Sequence, residues 1–407
     1  MREMASNLTL GQRIAWYRRR RGLSQEVLAG LVGRTTDWLS KVENDRISLD
    51  RLSVIKAMAN ALDVSLGDLL AEPSLFEWSD DRGSRSIPAL RAALTDYRQL
   101  SPMAVRIGEE EPPPLAELAS EIAEVWKAYQ SSQYTKVVER LPVLLAEAHH
   151  AERSSHGDAR HAALGVLGQV YHAAASILTK VGEADLAWIA AERGLAYAQE
   201  SRSQVVTVSL LRSVTHSLLA NGRYDAAIQL TSDAAALLDD DLPKATPDLL
   251  SVYGTLFLAG SMAAARAEDR TTTRAFLAEA QESATRLGTD ANHAWTAFGP
   301  TNVAIHRVAT AIELGDIQVA IDIGPKLDTS ALPIERRVRH ALAVAHALSL
   351  WNRTDEALAT LLDAEKMAPE QVRYHYLGRQ LVLSWIRRQK CKPSFQLTDL
   401  ARRLRIV

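Results

Sequence analysis

A short turn pattern recurs six times between residues 115 and 407, and it constrains the fold more than any other feature of the chain. Each copy is a tight polar turn with an amphipathic stretch rich in Ala and Leu on either side. The copies begin at Ser132, Gly182, Gly222, Arg270, Gly315 and Asn352. One pair of amphipathic helices cannot bury its apolar faces alone, so tandem pairs stack on one another. The pattern therefore predicts an all-α solenoid made of helical hairpins.

Several of these segments resemble tetratricopeptide repeats. Residues 222–227 (GRYDAA) match the turn of that family, residues 167–171 (LGQVY) match its L-G-x-x-Y element, and Ala368-Pro369 matches its terminal proline. The family repeat has about 34 residues, whereas the copies here start 37 to 50 residues apart. The resemblance implies a degenerate tetratricopeptide-like α-solenoid over residues 115–407, closed by capping helices at 372–388 and 397–407.

Ligands of such solenoids lie on the concave face, which is lined by the first helix of each pair. Counting back from each turn by the family template places Trp126 and Tyr129 on this face. The same count gives the predicted ligand-binding residues Gln169, His172, Arg212, His216, Phe257, Asn302, Arg339 and His346. The polar members are difficult to explain as core, so we expect a ligand there. A solvated groove without a ligand is the alternative.

The first 72 residues carry a different pattern, centred on residues 23–43. Ser24 and Thr35 each precede a short amphipathic run and are typical helix N-caps. Gly33, between the runs, can adopt the left-handed conformation that ends a helix. The apolar stripe of the second run consists of Trp38, Leu39 and Val42. Two short helices around such a turn are typical of a helix-turn-helix.

The flanking residues extend this motif to five predicted helices. An amphipathic stretch that ends in four arginines, residues 18–21, lies upstream, and helices at 52–62 and 65–70 are predicted downstream. The motifs G-x-R-I-x-x-x-R, L-S-Q-E-x-L-A and W-L-S-K-V-E-N, in this order, closely resemble the Cro/CI-type (XRE) DNA-binding domain. The resemblance covers residues 1–72. It implies a five-helix, λ-repressor-like fold that binds a double-stranded DNA operator as a homodimer.

The second helix of a helix-turn-helix enters the major groove, so its polar face should contact bases. These side chains are Thr36, Asp37, Ser40 and Lys41. Lys41 could donate to guanine and Asp37 could accept from cytosine N4, although Asp37 could equally stabilise the N-terminus of its own helix. The predicted phosphate contacts are Gln25, Arg13, Arg18 and Arg34.

Composition and charge narrow the function classes. The net charge is −2, yet residues 1–46 hold nine Lys/Arg against five Asp/Glu, so the cationic excess lies in the predicted DNA-binding domain. The one cysteine, Cys391, fits a reducing cytoplasm. No uninterrupted apolar stretch approaches the roughly 18 residues of a membrane span. Metalloprotease, P-loop, dinucleotide and nucleophile-elbow motifs are absent, so we predict no enzyme activity and no cofactor.

Histidines are densest between residues 149 and 161. The group consists of His149, His150, Glu152, His156, Asp158 and His161. Its spacing matches no closed zinc-ligand set. We therefore interpret this stretch as a solvated loop between helices and predict no metal site.

The predicted organisation is a DNA-binding domain (1–72), a linker with a connector helix at 87–100 (73–114), and a repeat sensor and dimerisation domain (115–407). This arrangement resembles the peptide-pheromone receptors of Gram-positive bacteria and actinobacterial XRE regulators. The resemblance implies a cytoplasmic transcription regulator, with no membrane partner, whose operator binding is controlled by a peptide or small molecule in the solenoid. The alternative is a DNA-tethered scaffold that holds a partner protein. A groove closed by the C-terminal helices would favour the small ligand.

Overall fold

The computed structural model describes residues 8–47, 49, 52–62, 64, 69, 86–96, 111–388 and 394–406. The chain divides into two compact units, Met1–Ser79 and Asp80–Val407, here called the N-terminal unit and the repeat unit. The described residues form helices, with one isolated antiparallel bridge between Ala291 and Phe298. The all-α prediction is confirmed.

The N-terminal unit has four described helices, and the second and third begin directly after their predicted caps. The four helices are α1 (Leu10–Arg20), α2 (Gln25–Leu31), α3 (Thr36–Glu43) and α4 (Leu52–Ala61). The Ser24 hydroxyl accepts from the amide of Val27 at 3.1 Å, and the Thr35 hydroxyl accepts from the amide of Trp38 at 3.2 Å. Gly33 has φ +64°, so it takes the left-handed conformation between α2 and α3. The predicted fifth helix lies outside the described residues, apart from Leu69.

The core of this unit is small and is shared by all four helices. Its fully buried side chains are Ile14, Leu28, Leu39, Met58, Leu62 and Leu69. Gly11 lies against the backbone of α3, where an added Cβ would meet the Val42 carbonyl oxygen at 2.1 Å. Val27 and Leu31, the other large apolar residues of α2, are 50% and 61% exposed, because the short α2 buries only the face that carries Leu28.

The repeat unit begins with α5 (Ser86–Leu94) and continues as a series of helices to residue 403. These are α6 (Leu115–Gln130), α7 (Tyr134–Ser154), α8 (Gly157–Lys180), α9 (Ala184–Ser201), α10 (Gln204–Ala220), α11 (Tyr224–Ala236), α12 (Pro247–Arg266), α13 (Arg270–Leu287), α14 (Pro300–Glu313), α15 (Ile317–Ile323), α16 (Ile334–Leu350), α17 (Thr354–Met367), α18 (Pro369–Tyr374), α19 (Tyr376–Arg388) and α20 (Phe395–Arg403).

All six predicted turns lie between two helices and share one backbone geometry, although the turn predicted to begin at Arg270 begins two residues earlier, at Glu268. In each, a residue with positive φ follows the first helix; these residues are Ser132, Gly182, Gly222, Glu268, Gly315 and Asn352. The next residue donates its amide to a carbonyl five residues earlier, as Gln133 does to Ala128 (2.9 Å) and Arg353 does to Leu348 (2.9 Å). This is the Schellman pattern. A shared local geometry explains how these turns recur at uneven spacing.

The helix α5 is part of the repeat unit, whereas the sequence suggested a connector between domains. Arg91 forms an ion pair with Glu183 at 2.7 Å, and Arg193 donates to the Leu94 carbonyl. Leu90 and Leu94 are fully buried. The apolar face of α5 therefore packs on the hairpins, and residues 97–100 of the predicted helix lie outside the described part.

The predicted C-terminal capping helix at 372–388 is interrupted. His375 has an extended conformation (φ −80°, ψ 119°) and separates α18 from α19. Trp385 on α19 is buried, and its Nε1 donates to the Ser349 hydroxyl at 2.9 Å. The C-terminal helices thus cover the apolar face of the last hairpin, as a cap should.

Two helices, α8 and α12, are long and apolar enough to cross a membrane by composition alone. In the fold, 72% and 94% of their apolar windows are buried. Their apolar surface is therefore used within the repeat unit, and both are core helices of stacked hairpins. Gly254 on α12 has no space for a Cβ, which would lie 2.0 Å from the Phe298 ring.

Candidate functional sites

The polar face of α3 is the first candidate site. Thr36, Asp37 and Lys41 are exposed, and Ser40 is half-buried. The Lys41 ammonium group lies 2.6 Å from the Asp37 carboxylate, one turn apart on the same helix. An exposed pair at this spacing contributes only about 0.3–0.5 kcal/mol, so Lys41 can leave Asp37 at little cost. Arg34 is also exposed, and its guanidinium lies 5.8 Å from the centre of the Trp38 ring.

Arg18, a predicted phosphate contact, is a buried structural residue. Its Nε and Nη2 donate to the two carboxylate oxygens of Glu43 at 2.5 and 2.9 Å, and its Nη1 donates to the Leu23 carbonyl at 2.8 Å. The hydrogen bonds to Glu43 raise the pKa of Arg18. This pair connects α1 to α3, and its buried guanidinium does not fit the predicted phosphate contact.

The side chains of Arg13 and Gln25 also form hydrogen bonds inside the N-terminal unit. The Arg13 side chain is buried and donates to the carbonyls of Leu8 and Leu69, so it does not fit the predicted phosphate contact either. Gln25 is half-buried and donates one amide hydrogen to Glu43 at 2.7 Å. Its second amide hydrogen can donate to a phosphate.

The second candidate site lies on the inner face of the repeat unit, formed by the first helix of each hairpin. Six residues that the sequence placed there interact with one another in the structure. They are Trp126, Tyr129, His172, Arg212, His216 and Arg339. The Trp126 and His172 rings are 4.7 Å apart, and Arg212 Nη2 donates to His172 Nε2 at 3.1 Å.

Three further charged residues of this site were not predicted: Lys180 at the end of α8, and Glu335 and Arg336 at the start of α16. Glu335 is buried and forms an ion pair with Lys180 of α8, a residue 155 positions earlier. Arg336 Nε lies 3.9 Å from the other Glu335 carboxylate oxygen, which is beyond hydrogen-bond distance. We call Lys180, Arg212, Glu335, Arg336 and Arg339 the basic inner cluster.

The basic inner cluster contains like charges in a desolvated setting. Burial, followed by the neighbouring Arg336, lowers the pKa of Arg212 to about 10. Burial lowers the pKa of Lys180 to about 8, against the opposing effect of Glu335. Burial alone would raise the pKa of Glu335, but Lys180, Arg336 and Arg339 outweigh it and hold that pKa well below its ordinary value.

The surrounding histidines are neutral near pH 7. Burial, and then Arg336 and Arg339, lower the pKa of His306 to about 3. Burial, and then Lys180, lower the pKa of His375 to about 3. The pKa values of His172 and His216 are also lowered, first by burial and then by Arg212. These rings add hydrogen-bonding groups to the site without adding charge.

The first and last hairpins contact each other beside this cluster. The Ser132 hydroxyl donates to Gln371 Oε1 at 2.7 Å, and Gln371 Nε2 donates to the backbone carbonyl of Glu335 at 2.9 Å. Glu370 accepts from the amide of Thr135 at 3.1 Å. The turn of the first hairpin and the C-terminal helices are therefore in contact beside Glu335.

The other predicted ligand-binding residues have different positions. Phe257 is buried in the core, in edge-to-face contact with Phe276 at 5.2 Å, so its predicted place on the inner face is wrong. Asn302 is fully buried and donates to the Ala297 carbonyl at 2.9 Å. Gln169 and His346 are half-buried on α8 and α16, one turn before His172 and two turns after Arg339.

The histidine-rich stretch is helical, and the interpretation as a loop is wrong. His149, His150 and Glu152 belong to α7, and Asp158 and His161 belong to α8. His149 is buried 2.9 Å from the Tyr171 hydroxyl, and burial lowers its pKa to about 4. Among the described residues, no group of three or more His, Cys, Asp or Glu side chains could hold a metal ion.

Comparison with known proteins identifies the N-terminal unit. A family model described as a helix-turn-helix domain matches residues 9–72, so this segment is a helix-turn-helix domain and the predicted motif is confirmed. No curated protein sequence matches the chain.

Two solved structures resemble the chain at low identity. PlcR from Bacillus thuringiensis, in complex with the peptide PapR7 and DNA, is 14% identical with a TM-score of 0.30, over 69% of this chain and 95% of that one. The apo form of the competence regulator ComR from Streptococcus vestibularis is 11% identical with a TM-score of 0.21, over 75% and 97%. Values this low transfer no ligand or activity to this chain.

Proposed function

We propose that the protein is a cytoplasmic, homodimeric transcription regulator whose operator binding is controlled by a ligand on the inner face of the repeat unit. The helix-turn-helix domain supports the DNA-binding half. The control half is supported by one observation above the others. Charged and aromatic side chains from four inner helices converge where the first and last hairpins touch.

The DNA-binding half assigns direct roles to the exposed side chains of α3. Lys41 donates to a base edge in the major groove, and Thr36 and Asp37 contact neighbouring bases. Arg34 and the second amide hydrogen of Gln25 hold phosphates. Arg13 and Arg18 are left out of this interface because their guanidinium groups are bonded inside the domain. The cationic excess of one domain is small, so a dimer on two half-sites about one helical turn apart supplies the affinity.

The control half uses the contact between the first and last hairpins. A ligand beside Glu335 competes with or reinforces the hydrogen bonds that join Gln371 to Ser132 and to α16. It thereby favours one arrangement of the hairpins over another, and it changes DNA affinity only as far as it binds these arrangements differently. The same contacts argue against an open groove for a partner protein, so the scaffold function is not favoured.

The test begins with recovery of the operator by immunoprecipitation of DNA bound in cells. Operator affinity is then compared by fluorescence anisotropy for the full-length protein, Lys41→Ala and Lys366→Ala. Lys366 is a matched control, because it is an exposed lysine that pairs with Asp363 at 2.9 Å on its own helix. We expect a loss of about fivefold or more for Lys41→Ala, which corresponds to about 1–3 kcal/mol for a base contact, and no loss for Lys366→Ala. Equal affinities would contradict the assignment of α3.

A further inference from the structure

The basic inner cluster has more positive charge than its own residues neutralise. Lys180, Arg212, Arg336 and Arg339 are four cations, and Glu335 is one carboxylate, which leaves +3 among these described residues. Arg266 interacts with Arg339 but is already paired with Glu313 at 3.0 Å, so it adds no net charge. The neighbouring histidines are neutral, as described above. The four cationic side chains are half-buried, and cations withdrawn from water are normally paired, because an unpaired one loses hydration without compensation.

Glu335 carries a single charge, so it cannot neutralise both Lys180 and the three arginines. Its Oε1 bonds the Lys180 ammonium, and its Oε2 remains 3.9 Å from Arg336 Nε. The Nε atoms of Arg212 and Arg336 are both buried, and neither has a hydrogen-bond partner among the described residues. Buried N–H donors of this kind are rare in folded proteins, since each loses its hydration without compensation.

A guanidinium group presents its N–H donors in a planar fork that matches the oxygens of carboxylate and phosphate. Here three guanidinium groups come from two helices, Arg212 from α10 and the others from α16. Arg336 and Arg339 lie three residues apart, on one face of α16. An oxyanion-binding site without its anion has unsatisfied N–H donors and an excess of positive charge. The basic inner cluster has both, with two such donors and an excess of three charges.

We infer that Arg212, Arg336 and Arg339 bind the anionic group of the ligand, a phosphate or a pair of carboxylates, on the inner face of the repeat unit. This inference rests on the proposed function and names the chemistry of its ligand. Because the excess is +3, a single carboxylate leaves two charges unpaired, whereas a doubly charged group leaves one. The Trp126 and His172 rings beside Arg212 contact the uncharged remainder of the ligand.

The test measures thermal unfolding of the full-length protein in phosphate, in succinate and in chloride at one ionic strength. The proteins are the wild type, Arg336→Gln/Arg339→Gln and the single variant Arg336→Gln. Arg307→Gln is the matched control, because Arg307 is an exposed arginine of the neighbouring α14. Phosphate also stabilises proteins by exclusion from their surface, and that effect is common to all four proteins. Circular dichroism establishes that each variant is folded.

We expect the midpoint of the wild type and of Arg307→Gln to rise saturably, by ~3 °C at ten times the dissociation constant. The rise should be absent in the double variant and reduced in the single one. A response to phosphate alone assigns a phosphorylated ligand, and a response to succinate alone assigns a polycarboxylate such as an acidic peptide. Equal responses in all four proteins, or none to either anion, overturn the inference.

Operator affinity separates this inference from the proposed function. If the anion binds through the arginines but does not change operator affinity, the site stands and ligand control fails. If neither anion binds and an uncharged ligand changes operator affinity, the proposed function stands and the anion site fails.

Discussion

The two units of the protein differ in how the charges of their arginines are neutralised. In the N-terminal unit, both carboxylate oxygens of Glu43 accept from Arg18, so the buried charge is matched one to one. In the repeat unit, four cations share one carboxylate, and two buried guanidinium nitrogens lack a partner within the described residues. The first arrangement is complete as a structural element. The second is complete only when an anion is added, and this difference separates a fold-stabilising ion pair from a binding site.

The largest effect on stability should come from breaking the ion pair between Arg18 and Glu43. Glu43→Gln leaves Arg18 buried without a counter-charge, and it weakens the acceptor of the Gln25 amide. We expect a loss of about 3 kcal/mol in the free energy of unfolding of the N-terminal unit. Hydrogen exchange of the α1 and α3 amides reports this unit alone. Glu26→Gln, an exposed carboxylate on α2, is the control, and an equal loss in both variants would contradict a structural role for the pair.

Acid should destabilise the repeat unit first. His306 and His375 have pKa values of about 3 in the folded unit, against about 6.5 when unfolded. Between these values the unfolded chain binds protons that the folded unit does not, so stability falls as pH falls. From pH 6.5 to 5.5 each histidine should cost about 1 kcal/mol. Residues 1–79 contain no histidine, so the N-terminal unit lacks this effect.

The pH effect is measured by hydrogen exchange of both units at the two pH values. His375→Gln should reduce the loss in the repeat unit, whereas His156→Gln, at an exposed histidine, should leave it unchanged. Equal losses in the two units would exclude the buried histidines as the cause.

Removing one arginine of the basic inner cluster should raise the free energy of unfolding, whereas Glu43→Gln should lower it. In chloride buffer, Arg336→Gln relieves repulsion from Arg212 and Arg339. We expect the repeat unit to gain about 1 kcal/mol, measured by urea unfolding, with Arg307→Gln near zero. A loss of stability for Arg336→Gln would mean that the arginine has a structural partner, as Arg18 does.

The smallest effect on stability is expected at the exposed face of α3. Asp37→Ala removes an exposed pair with Lys41 and should cost less than about 0.5 kcal/mol. It also removes a negative charge from a surface that meets phosphates, so binding to random-sequence DNA should tighten about twofold to threefold. Anisotropy at two salt concentrations checks this, and weaker binding would show that Asp37 accepts from a DNA group.

Local features of this fold could be predicted from sequence. The caps at Ser24 and Thr35 and the six turns depend on hydrogen bonds to residues at most five positions away. A short stretch of sequence is therefore enough to predict them. The helical histidine stretch was missed because its polar side chains pair between two helices. Surface ion pairs such as Arg160 with Glu152, at 2.8 Å, let a polar sequence continue as long helices.

The sites were less predictable because their partners are distant in sequence. Arg18 was expected at phosphates because its partner Glu43 lies 25 positions away, and Glu335 was missed because Lys180 lies 155 positions away. Phe257 was misplaced because a 34-residue template loses register over repeats of 37 to 50 residues. His172, Arg212 and Arg339 were placed on the same face, and they interact there through the cluster.

The most direct test of this account is mass spectrometry of the compounds released when the full-length protein, purified from its own cells, is denatured. The wild type and Arg336→Gln/Arg339→Gln are compared after identical purification. We expect an anionic compound, phosphorylated or with several carboxylates, that is released by the wild type and missing from the variant. An identical set of released compounds from both proteins would contradict it.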